Sequence, residues 1–581
     1  MSKLVYVCYR NSEKLPEFGS NVKLIADRIL PDNIVPNPPK LYINNGVAYA
    51  IFNPVSTIEE REGSVVMGEF FQNGDNWWKP LNSYPDGSYA LFRQDAESIE
   101  LVTDVVASRT IWYFMNDDFF IASTSQRAIV IFLKEFKFND SVISWVLSTG
   151  SLGPDNSWDS RIKVVPPDSS VFLNRLTWDL KVRTNEIFFK EGELNDEVHV
   201  TLFRKSIINT FKGLQLDLKK WVLPLSGGYD SRCILAVLDH IKMNISELVT
   251  ITWGLAKSRQ QKGSDAEVAK KVADHFDVNN DFLDTNATSE SLEKIIQRFF
   301  VCGEGRIDHM AGYLDGFKVW KTLFERNVQG VIRGDVCLTS KPAENELYVR
   351  NWQGFSLCSE YSSLTEYEIS GRFEQKLPER FIRRANESLE QWRDRLYQQF
   401  RIPVVLSALS DLKLCYVEVI NPLLSKQIVM QVRTLPDHLK NQKSIFKNYV
   451  KFLLPNIEIA RDGATADTSL IFNTKEMNKL LLSELQSADA ASIFSAKFLE
   501  HIRSNLRENN PFDYHKSNVK SYLKRNLPAW IKSKYTFAKK RNLSLSYDKI
   551  AFRIVTVIRM KKLLTQDALL ISVNPEFSNE A

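Results

Sequence analysis

The hydrophobic pattern of the chain changes between residues 190 and 196, and this change constrains the fold more than any other feature. Before it, short runs rich in Val, Ile, Tyr and Phe are separated by turn residues. After it, amphipathic helices alternate with short, wholly apolar strands. The first pattern favours stacked antiparallel sheets, and the second favours a parallel sheet that helices cover on both faces. The sequence therefore predicts an α/β fold in which an antiparallel β-sheet sandwich with helices precedes a parallel sheet.

The predicted elements follow from this pattern. In the first part, strands are predicted at 4–9, 40–43, 47–52, 88–92, 100–103 and 119–122, and a helix at 124–134. Turns are predicted at Asn44-Asn45-Gly46, Pro85-Asp86-Gly87 and Asn116-Asp117-Asp118. In the second part, strands are predicted at 221–225, 248–253 and 330–332, and the chain beyond about residue 370 is predicted to be helical.

Composition narrows the class of protein. The chain has 581 residues, which suggests roughly two to four domains, and 44% of them are hydrophobic and 25% charged, as in soluble globular proteins. The net charge of +5 is small for this length and does not indicate a nucleic-acid partner. The six cysteines form no Cys-x-x-Cys pair and the seven histidines are scattered, so no zinc site is expected. Because neither a signal-peptide core nor an apolar run of about 18 residues is found, a cytoplasmic protein without a membrane span is expected.

A glycine-rich string joins the strand predicted at 221–225 to an apolar helix. The residues expected to bind a ligand there are Leu225, Ser226, Gly227, Gly228, Tyr229, Asp230 and Ser231. Adjacent glycines let the backbone approach a ligand, and the N–H groups and dipole of a helix N-terminus suit a phosphate anion. Ser226 and Ser231 add hydroxyl donors, and Asp230 offers a carboxylate to a hard cation on the phosphates. An ordinary Gly-Gly turn is the alternative, and the string is not a Walker A loop.

These residues resemble the nucleotide loop of the PP-loop ATP pyrophosphatases, and more closely that of the asparagine synthetase family. Further similar motifs follow in order between residues 220 and 461, namely Trp253-Gly254, Ser264-Asp265, Arg333-Gly334-Asp335, Asn421-Pro422, Leu435-Pro436, Lys443 with Lys447, and Leu454-Pro455. The resemblance implies a PP-loop α/β synthetase domain with a largely helical C-terminal part. It also implies that Trp253 lies where the adenine is held, and that Arg333 and Gly334 belong to the nucleotide site.

The resemblance implies an ATP-dependent reaction. A substrate carboxylate attacks the α-phosphorus of ATP to give an acyl-adenylate and pyrophosphate, and a nitrogen nucleophile then displaces AMP to form an amide. Asp230 and Asp335 are the expected ligands of Mg2+, and Lys443 is expected to stabilise the departing charge. Glu304 and Asp308 are further catalytic candidates that could face the same cleft, with a solvated loop as the alternative.

The chain departs from the family pattern at two positions of the predicted synthetase domain. Where the family has glycine and then Asp-Glu, this chain continues from Asp335 with Val336-Cys337-Leu338-Thr339. Asp335 is therefore predicted to be the metal ligand of a shortened loop, with a helix cap as the alternative. Near Gly463 the lysine of the family pattern is missing.

The N-terminal part resembles the class II amidotransferase domain of the same family, which has the Ntn fold. The similar segments are 87–91, Thr103-Asp104, Ser108-Arg109 and 121–123. Glutamine-dependent members expose a cysteine once the initiator methionine is removed, whereas residue 2 here is Ser2. The resemblance therefore implies a retained fold without glutaminase activity, with Ser2 as an N-terminal nucleophile the alternative. The similar β-lactam synthetases and lasso-peptide cyclases also lost that cysteine, and they use an amine already on the substrate.

Three domains are predicted: an amidotransferase-like domain at 1–190, a synthetase domain at 196–480, and a basic helical extension at 481–581 that packs on the synthetase domain. Lysines and arginines recur between 516 and 562, a strip that could attract an acidic partner, and nucleic acid is not expected. The favoured interpretation of 550–564 is a terminal helix that buries its apolar residues and leaves Arg553, Arg559 and Lys561 in solvent.

Three functions remain open from the sequence. The first is a ligase that forms an amide from a small-molecule or peptide carboxylate with ATP and Mg2+. The second is authentic asparagine synthesis from aspartate, with ammonia or glutamine as nitrogen donor. The third is a non-catalytic scaffold that binds nucleotide.

Overall fold

The structure, a computed structural model, describes residues 2–11, 16–44, 46–55, 57–72, 74–286, 288–365, 375–465, 474–506 and 543–570. The strands are β1 Lys3–Tyr9, β2 Lys40–Asn44, β3 Val47–Phe52, β4 Ile58–Arg61, β5 Ser64–Phe70, β6 Gly87–Gln94, β7 Ser98–Thr103, β8 Trp112–Met115, β9 Phe119–Ser123, β10 Lys163–Val164, β11 Ser169–Asn174, β12 Asp179–Thr184, β13 Trp221–Pro224, β14 Val249–Gly254, β15 Asn280–Asp284, β16 Gly330–Ile332 and β17 Glu418–Ile420.

The longer α-helices are α1 Pro16–Ile29, α2 Gln126–Leu133, α3 Ser141–Thr149, α4 Asp196–Gly213, α5 Tyr229–His240, α6 Asp265–His275, α7 Leu292–Gly303, α8 Lys318–Glu325, α9 Glu346–Gln353, α10 Leu389–Leu396, α11 Ser407–Leu414, α12 Lys426–Arg433, α13 Ser444–Leu453, α14 Lys475–Leu485, α15 Ala488–Ile493, α16 Ala496–Asn505 and α17 Tyr547–Ala568. A π-helix, Tyr397–Leu406, joins α10 to α11. Single helical turns lie at Ala256–Arg259, Met310–Tyr313, Cys358–Glu360, Ser362–Thr365, Glu379–Phe381, Pro422–Leu424, Asp437–Lys440 and Asn441–Lys443.

The first two sheets are antiparallel and pack on each other. Their strand orders are β10-β8-β9-β1-β3-β2 and β12-β11-β7-β6-β5-β4. Alternate residues of β1 belong to different cores: Leu4, Tyr6 and Cys8 pack with residues of β5, β6 and β7, whereas Val5 and Val7 pack with residues of α1 and α2. β1 is therefore buried on both faces, between the second sheet and the helices. This arrangement confirms the predicted antiparallel sandwich with helices.

The third sheet is parallel, with the order β15-β14-β13-β16-β17. Residues of α4, α5, α12 and α13 form the core on one face, and residues of α7, α8 and α11 belong to the core on the other. Because the strands are parallel, their carboxyl ends meet at one edge, where ligands bind in folds of this kind. The predicted mixed α/β architecture is confirmed.

Every predicted strand overlaps an observed one, but eight strands observed in the described residues have no predicted counterpart: β4, β5, β8, β10, β11, β12, β15 and β17. β15 is an edge strand with Asn280, Asp281 and Asp284 among its five residues, so no apolar run marks it. β17 has only three residues, and it makes the prediction of helices alone beyond about residue 370 wrong. Short or half-exposed strands lack the periodic signal on which the prediction depends.

α17 differs from the terminal helix that the sequence favours. It packs on α14, and also on α2 and α3 behind the first sheet. Arg553 is 2% exposed and donates to Asp308, while Arg559 donates to Glu293 and Glu484. The expectation that Arg553 and Arg559 lie in solvent is therefore wrong, because both bind carboxylates between packed elements. Residues 516–542 of the basic strip lie outside the described residues.

Candidate functional site

The predicted nucleotide residues meet at the carboxyl edge of the parallel sheet. Leu225 follows β13, and the strands beside β13 are β14, which contains Trp253, and β16, which Gly334 follows closely. A Cβ atom on Gly334 would lie 2.9 Å from the carbonyl carbon of Asp230 and from the backbone nitrogen of Ser231. Glycine at 334 therefore allows the loop after β16 to lie directly against the start of α5.

The two serines of the loop after β13 hold the turn together. The N–H of Ser226 donates to Oγ of Ser231 at 2.9 Å, and the two hydroxyl oxygens are 3.1 Å apart. The N–H of Gly228 donates to Oγ of Ser226 at 3.2 Å. Both hydroxyls are thus engaged inside the loop, a role that the sequence did not predict for them.

Gly227 is buried and lies against the segment at 457–460. A Cβ atom on Gly227 would lie 2.4 Å from Cβ of Ala460, so this position requires glycine for packing. Its N–H donates to Oδ1 of Asp265 at 2.7 Å. Arg232, which is buried, donates to four backbone carbonyls, those of Gly227, Gly228, Ile457 and Glu458. Asp265 and Arg232 therefore fix the loop from both sides, and motif spacing assigned neither of them this task.

The N-terminus of α5 is the part of the loop that is open to an anion. Its N-cap is Gly228, with φ −80°, and no side-chain hydrogen bond caps the helix. The N–H groups of Tyr229, Asp230 and Ser231 have no acceptor within the helix, and the positive end of the helix dipole lies there. An anionic phosphate would be held by these groups rather than by Gly227.

Two carboxylates and two cations face one another beside this helix end. Nζ of Lys443 donates to Oδ2 of Asp230 at 2.8 Å, and Arg333 donates through Nε and Nη2 to Asp335, both at 3.1 Å. Burial raises the pKa of Asp230, and the nearby Asp335 adds to this shift while Lys443 opposes it. Burial also acts to raise the pKa of Asp335, but Arg333 outweighs it and the pKa falls below its ordinary value. The two carboxylates are close enough to influence each other.

This pair of carboxylates fits a magnesium ion. Mg2+ usually takes one or two carboxylates from a protein and completes its shell with substrate phosphates and water. Within the described ranges, no three His, Cys, Asp or Glu side chains gather into a metal-binding group. Asp230 and Asp335 therefore suit an ion that phosphate oxygens share, and not a metal held by protein groups alone.

The backbone that presents Lys443 is strained. Gln442 and Lys443 have φ values of 53° and 59°, in the left-handed region that non-glycine residues seldom adopt. Lys443 is the N-cap of α13, and its side chain is 16% exposed. Lys447, one turn along α13, places Nζ 5.7 Å from the centroid of the Tyr229 ring. Strain of this kind persists where surrounding structure imposes it, and here it accompanies a lysine aimed at the helix end.

Residues 220–311 match the asparagine synthase family. The match spans β13 to α7 and contains the loop and Asp230, whereas Asp335 and Lys443 lie beyond it. It supports a ligase of the asparagine synthase type that depends on ATP. No curated protein matches the chain.

The structure does not bring Glu304 and Asp308 to the loop at 225–231. Glu304 accepts hydrogen bonds from Nζ of Lys3 at 3.0 Å, from the hydroxyl of Ser125 and from the N–H of Gln126. Oδ2 of Asp308 accepts from Nε of Arg553 at 2.7 Å. Both carboxylates are buried, at 3% and 6% exposure, so the expectations of a shared cleft and of a solvated loop are both corrected. Each instead joins parts of the chain that are distant in sequence.

Trp253, at the end of β14, lines two adjoining cavities. One, of about 360 Å3, extends to Arg333 and Lys413, and the other, of about 410 Å3, extends to Thr465 and Met477. Another cavity, of about 580 Å3, lies between residues 154–187 and 379–404, and none of the predicted site residues lines it.

No helix in the described part of the chain is both long and apolar enough to cross a membrane.

Proposed function

We propose that the chain is a ligase that activates a substrate carboxylate with ATP and transfers the acyl group to a nitrogen nucleophile. The observation that carries this proposal is the meeting of Asp230, Asp335 and Lys443 at the uncapped N-terminus of α5. A triphosphate at this point would meet N–H donors, a lysine and two carboxylates suited to Mg2+. The family match at 220–311 supports the same class of reaction.

The reaction proceeds in two displacements. An oxygen of the substrate carboxylate bonds to the α-phosphorus of ATP, and the oxygen between the α- and β-phosphates leaves with pyrophosphate. The nitrogen nucleophile then bonds to the acyl carbon, loses a proton, and AMP departs with the oxygen that joined it to the acyl group. The products are an amide, AMP and pyrophosphate.

Each residue of the cluster has a task in this proposal. The N–H groups at the start of α5 bind the phosphates that become pyrophosphate. Nζ of Lys443 donates to a phosphate oxygen instead of to Asp230. It thereby stabilises the negative charge that develops on the pyrophosphate leaving group. Asp230 and Asp335 would hold Mg2+, which neutralises phosphate charge when bound. When Asp335 binds Mg2+ in place of Arg333, the guanidinium of Arg333 remains next to the nucleotide as a second positive charge.

The nitrogen nucleophile reaches this site without glutamine hydrolysis. The Ser2 side chain is buried, and its hydroxyl donates to the carbonyl of Asn53 at 2.7 Å, so it is not presented as a nucleophile. All six cysteines are buried, and none stands at residue 2. The N-terminal sheets therefore serve the synthetase part structurally in this proposal.

The test uses hydroxylamine as a general nitrogen nucleophile. The chain is incubated with ATP, Mg2+ and single carboxylates, including aspartate, aromatic amino acids and N-acyl amino acids, and hydroxamate and pyrophosphate are measured. Asp230→Asn should lower both by at least about 100-fold, since it removes a ligand of the charge-neutralising ion. Asp239→Asn, on the exposed side of the same helix, should leave them unchanged.

Two results would contradict the proposal. If wild type binds ATP and forms no hydroxamate with any carboxylate, the chain is a nucleotide-binding scaffold. If Asp230→Asn and Asp239→Asn behave alike, the reaction takes place elsewhere. A product with aspartate alone would select asparagine synthesis from the two ligase alternatives.

A further inference from the structure

The cavity of about 360 Å3 beside Trp253 has the size and position of a substrate pocket. It lies at the carboxyl ends of β14 and β16 and is lined by, among others, Trp253, His309, Tyr313, Trp320, Arg333 and Lys413. We call it the Lys413 pocket. It joins the nucleotide site at Arg333, which binds the proposed metal ligand Asp335. A molecule in this pocket would therefore lie next to the phosphates.

Lys413 is a buried lysine without an acidic partner among the described residues. It lies near the end of α11, is 4% exposed, and donates from Nζ to the carbonyl of Leu409 at 2.6 Å. No carboxylate of the described residues forms an ion pair with it. Burial lowers the pKa of Lys413 well below its ordinary range, and the neighbouring Arg333 lowers it further. An unpaired buried ammonium group is costly, so an anion bound beside it would be stabilised.

The carboxylates near Lys413 already have other partners. Asp335 binds Arg333, and Asp411 binds Arg306. Asp315, which lines the pocket, accepts the N–H groups of Phe317 and Val319 at the start of α8. A carboxylate that enters the pocket could therefore pair with protonated Lys413 without displacing it from an acidic side chain.

Aromatic side chains form part of the wall of the Lys413 pocket. The rings of Trp253 and Trp320 lie 5.6 Å apart at 68°, and Nζ of Lys413 lies 5.6 Å from the Trp320 ring centroid. Tyr313 adds a third ring. Such walls favour a flat apolar group through offset or edge-on contacts between rings.

We propose that the Lys413 pocket binds the acyl substrate as an aromatic carboxylate, with the carboxylate at Lys413 and the ring packed against Trp253 and Trp320. The role of this ligand as the acyl donor depends on the proposed function, because it requires ATP at the neighbouring loop. Its binding does not depend on turnover. The two claims can therefore fail separately.

The probe is a matched pair of ligands, N-acetyl-L-phenylalanine and its neutral amide, titrated calorimetrically into the full chain without nucleotide. Wild type should bind the acid at least about 10-fold more tightly than the amide, as expected for a charge-assisted hydrogen bond. Lys413→Met should reduce this preference to less than about threefold, and Lys413→Arg should retain most of it. Lys318→Met, an exposed lysine at the start of α8, is the control and should keep the full preference.

Thermal melting and ATP affinity report whether each variant is folded. Equal binding of acid and amide by wild type, or binding of neither, would overturn the proposal whatever the variants do. An unchanged acid preference in folded Lys413→Met would overturn it as well. An acid preference without any pyrophosphate release would instead reject the proposed function and leave the anion pocket in place.

Discussion

Lys443 joins two parts of the site that lie far apart in the chain. Its Nζ meets Asp230, 213 positions earlier, through a hydrogen bond of 2.8 Å. The adjacent left-handed residues Gln442 and Lys443 turn the chain into α13 and leave the side chain at the end of α5. The negative charge that develops on the departing pyrophosphate would therefore be stabilised by a lysine that is already in position.

Replacing Lys443 tests this role. Lys443→Met should lower kcat for hydroxamate formation by roughly 100- to 1,000-fold, the range for loss of one preorganised donor, with a smaller effect on KM for ATP. Lys451→Met, an exposed lysine in the last turn of the same helix, should leave kcat unchanged. A wild-type kcat in Lys443→Met would show that the lysine serves only to pair with Asp230.

Single-residue predictions from the sequence are most useful where a motif fixes the chemistry. The loop motif placed Asp230 at a helix N-terminus, and the structure puts Asp335 near it. The partners of Ser226, Ser231 and Gly227 could not be predicted, because they depend on which distant backbone covers the loop. The order of motifs along a chain does not predict which side chains and backbone groups contact one another in the folded protein.

Elements with a strong periodic pattern were predicted, whereas their neighbours were not. β13 and β14 are short apolar runs, and their bounds agree with the prediction within a residue or two. α17 has the apolar spacing expected of a packed helix, but the sequence does not show what lies against its cations. A second layer, α2 and α3, covers that side and supplies partners for its buried charges.

Asp567 tests how strongly α17 depends on this second layer. It is fully buried and accepts hydrogen bonds from Arg127 of α2, at 2.7 and 3.1 Å, and from Arg28 of α1. Asp567→Asn should lower the free energy of unfolding by about 3–5 kcal/mol, because it leaves the Arg127 charge buried without a counter-charge. Urea unfolding followed by tryptophan fluorescence measures the change.

The control for this prediction is the exposed neighbour Gln566. Gln566→Ala should change the free energy of unfolding by less than about 0.5 kcal/mol, as surface substitutions usually do. If Asp567→Asn is equally mild, α17 is held by its apolar residues alone and the ion pairs add nothing measurable.

At the scale of the whole molecule, the N-terminal sheets share one apolar core and several buried ion pairs with the elements around the parallel sheet. The core includes residues of β1, α2, α7 and α17. Lys3 of β1 binds Glu304 after α7, and Arg109 binds Glu418 of β17. The sequence predicted three domains, at 1–190, 196–480 and 481–581. It could not show this contact, because a carboxylate such as Glu304 looks the same in the sequence whether it binds substrate or a distant lysine.

The Lys3–Glu304 pair predicts a pH dependence with two limits. Burial alone would lower the pKa of Lys3 and raise that of Glu304, but their attraction reverses both shifts. Stability from Glu304 is complete above its unfolded pKa of about 4.3 and is lost as pH falls further. Stability from Lys3 is complete below its unfolded pKa of about 10.4 and is lost as pH rises further.

Unfolding free energies at several pH values, for wild type and for Lys3→Met with Glu304→Gln, measure this dependence. The difference in the free energy of unfolding between the two proteins should be constant from about pH 5 to about pH 10. Below and above these limits the wild type should lose stability relative to the double variant. A difference that stays constant at pH 3.5 would show that Glu304 is not held ionised by Lys3.

The central claim is that ATP bound at the start of α5 is cleaved between its α- and β-phosphates by attack of a carboxylate. The most direct measurement is the identity of the labelled products when the chain turns over α-labelled ATP with a carboxylate and hydroxylamine. We expect AMP with pyrophosphate, one AMP for each hydroxamate formed, and neither product from Asp230→Asn. Labelled ADP with inorganic phosphate from wild type would contradict it.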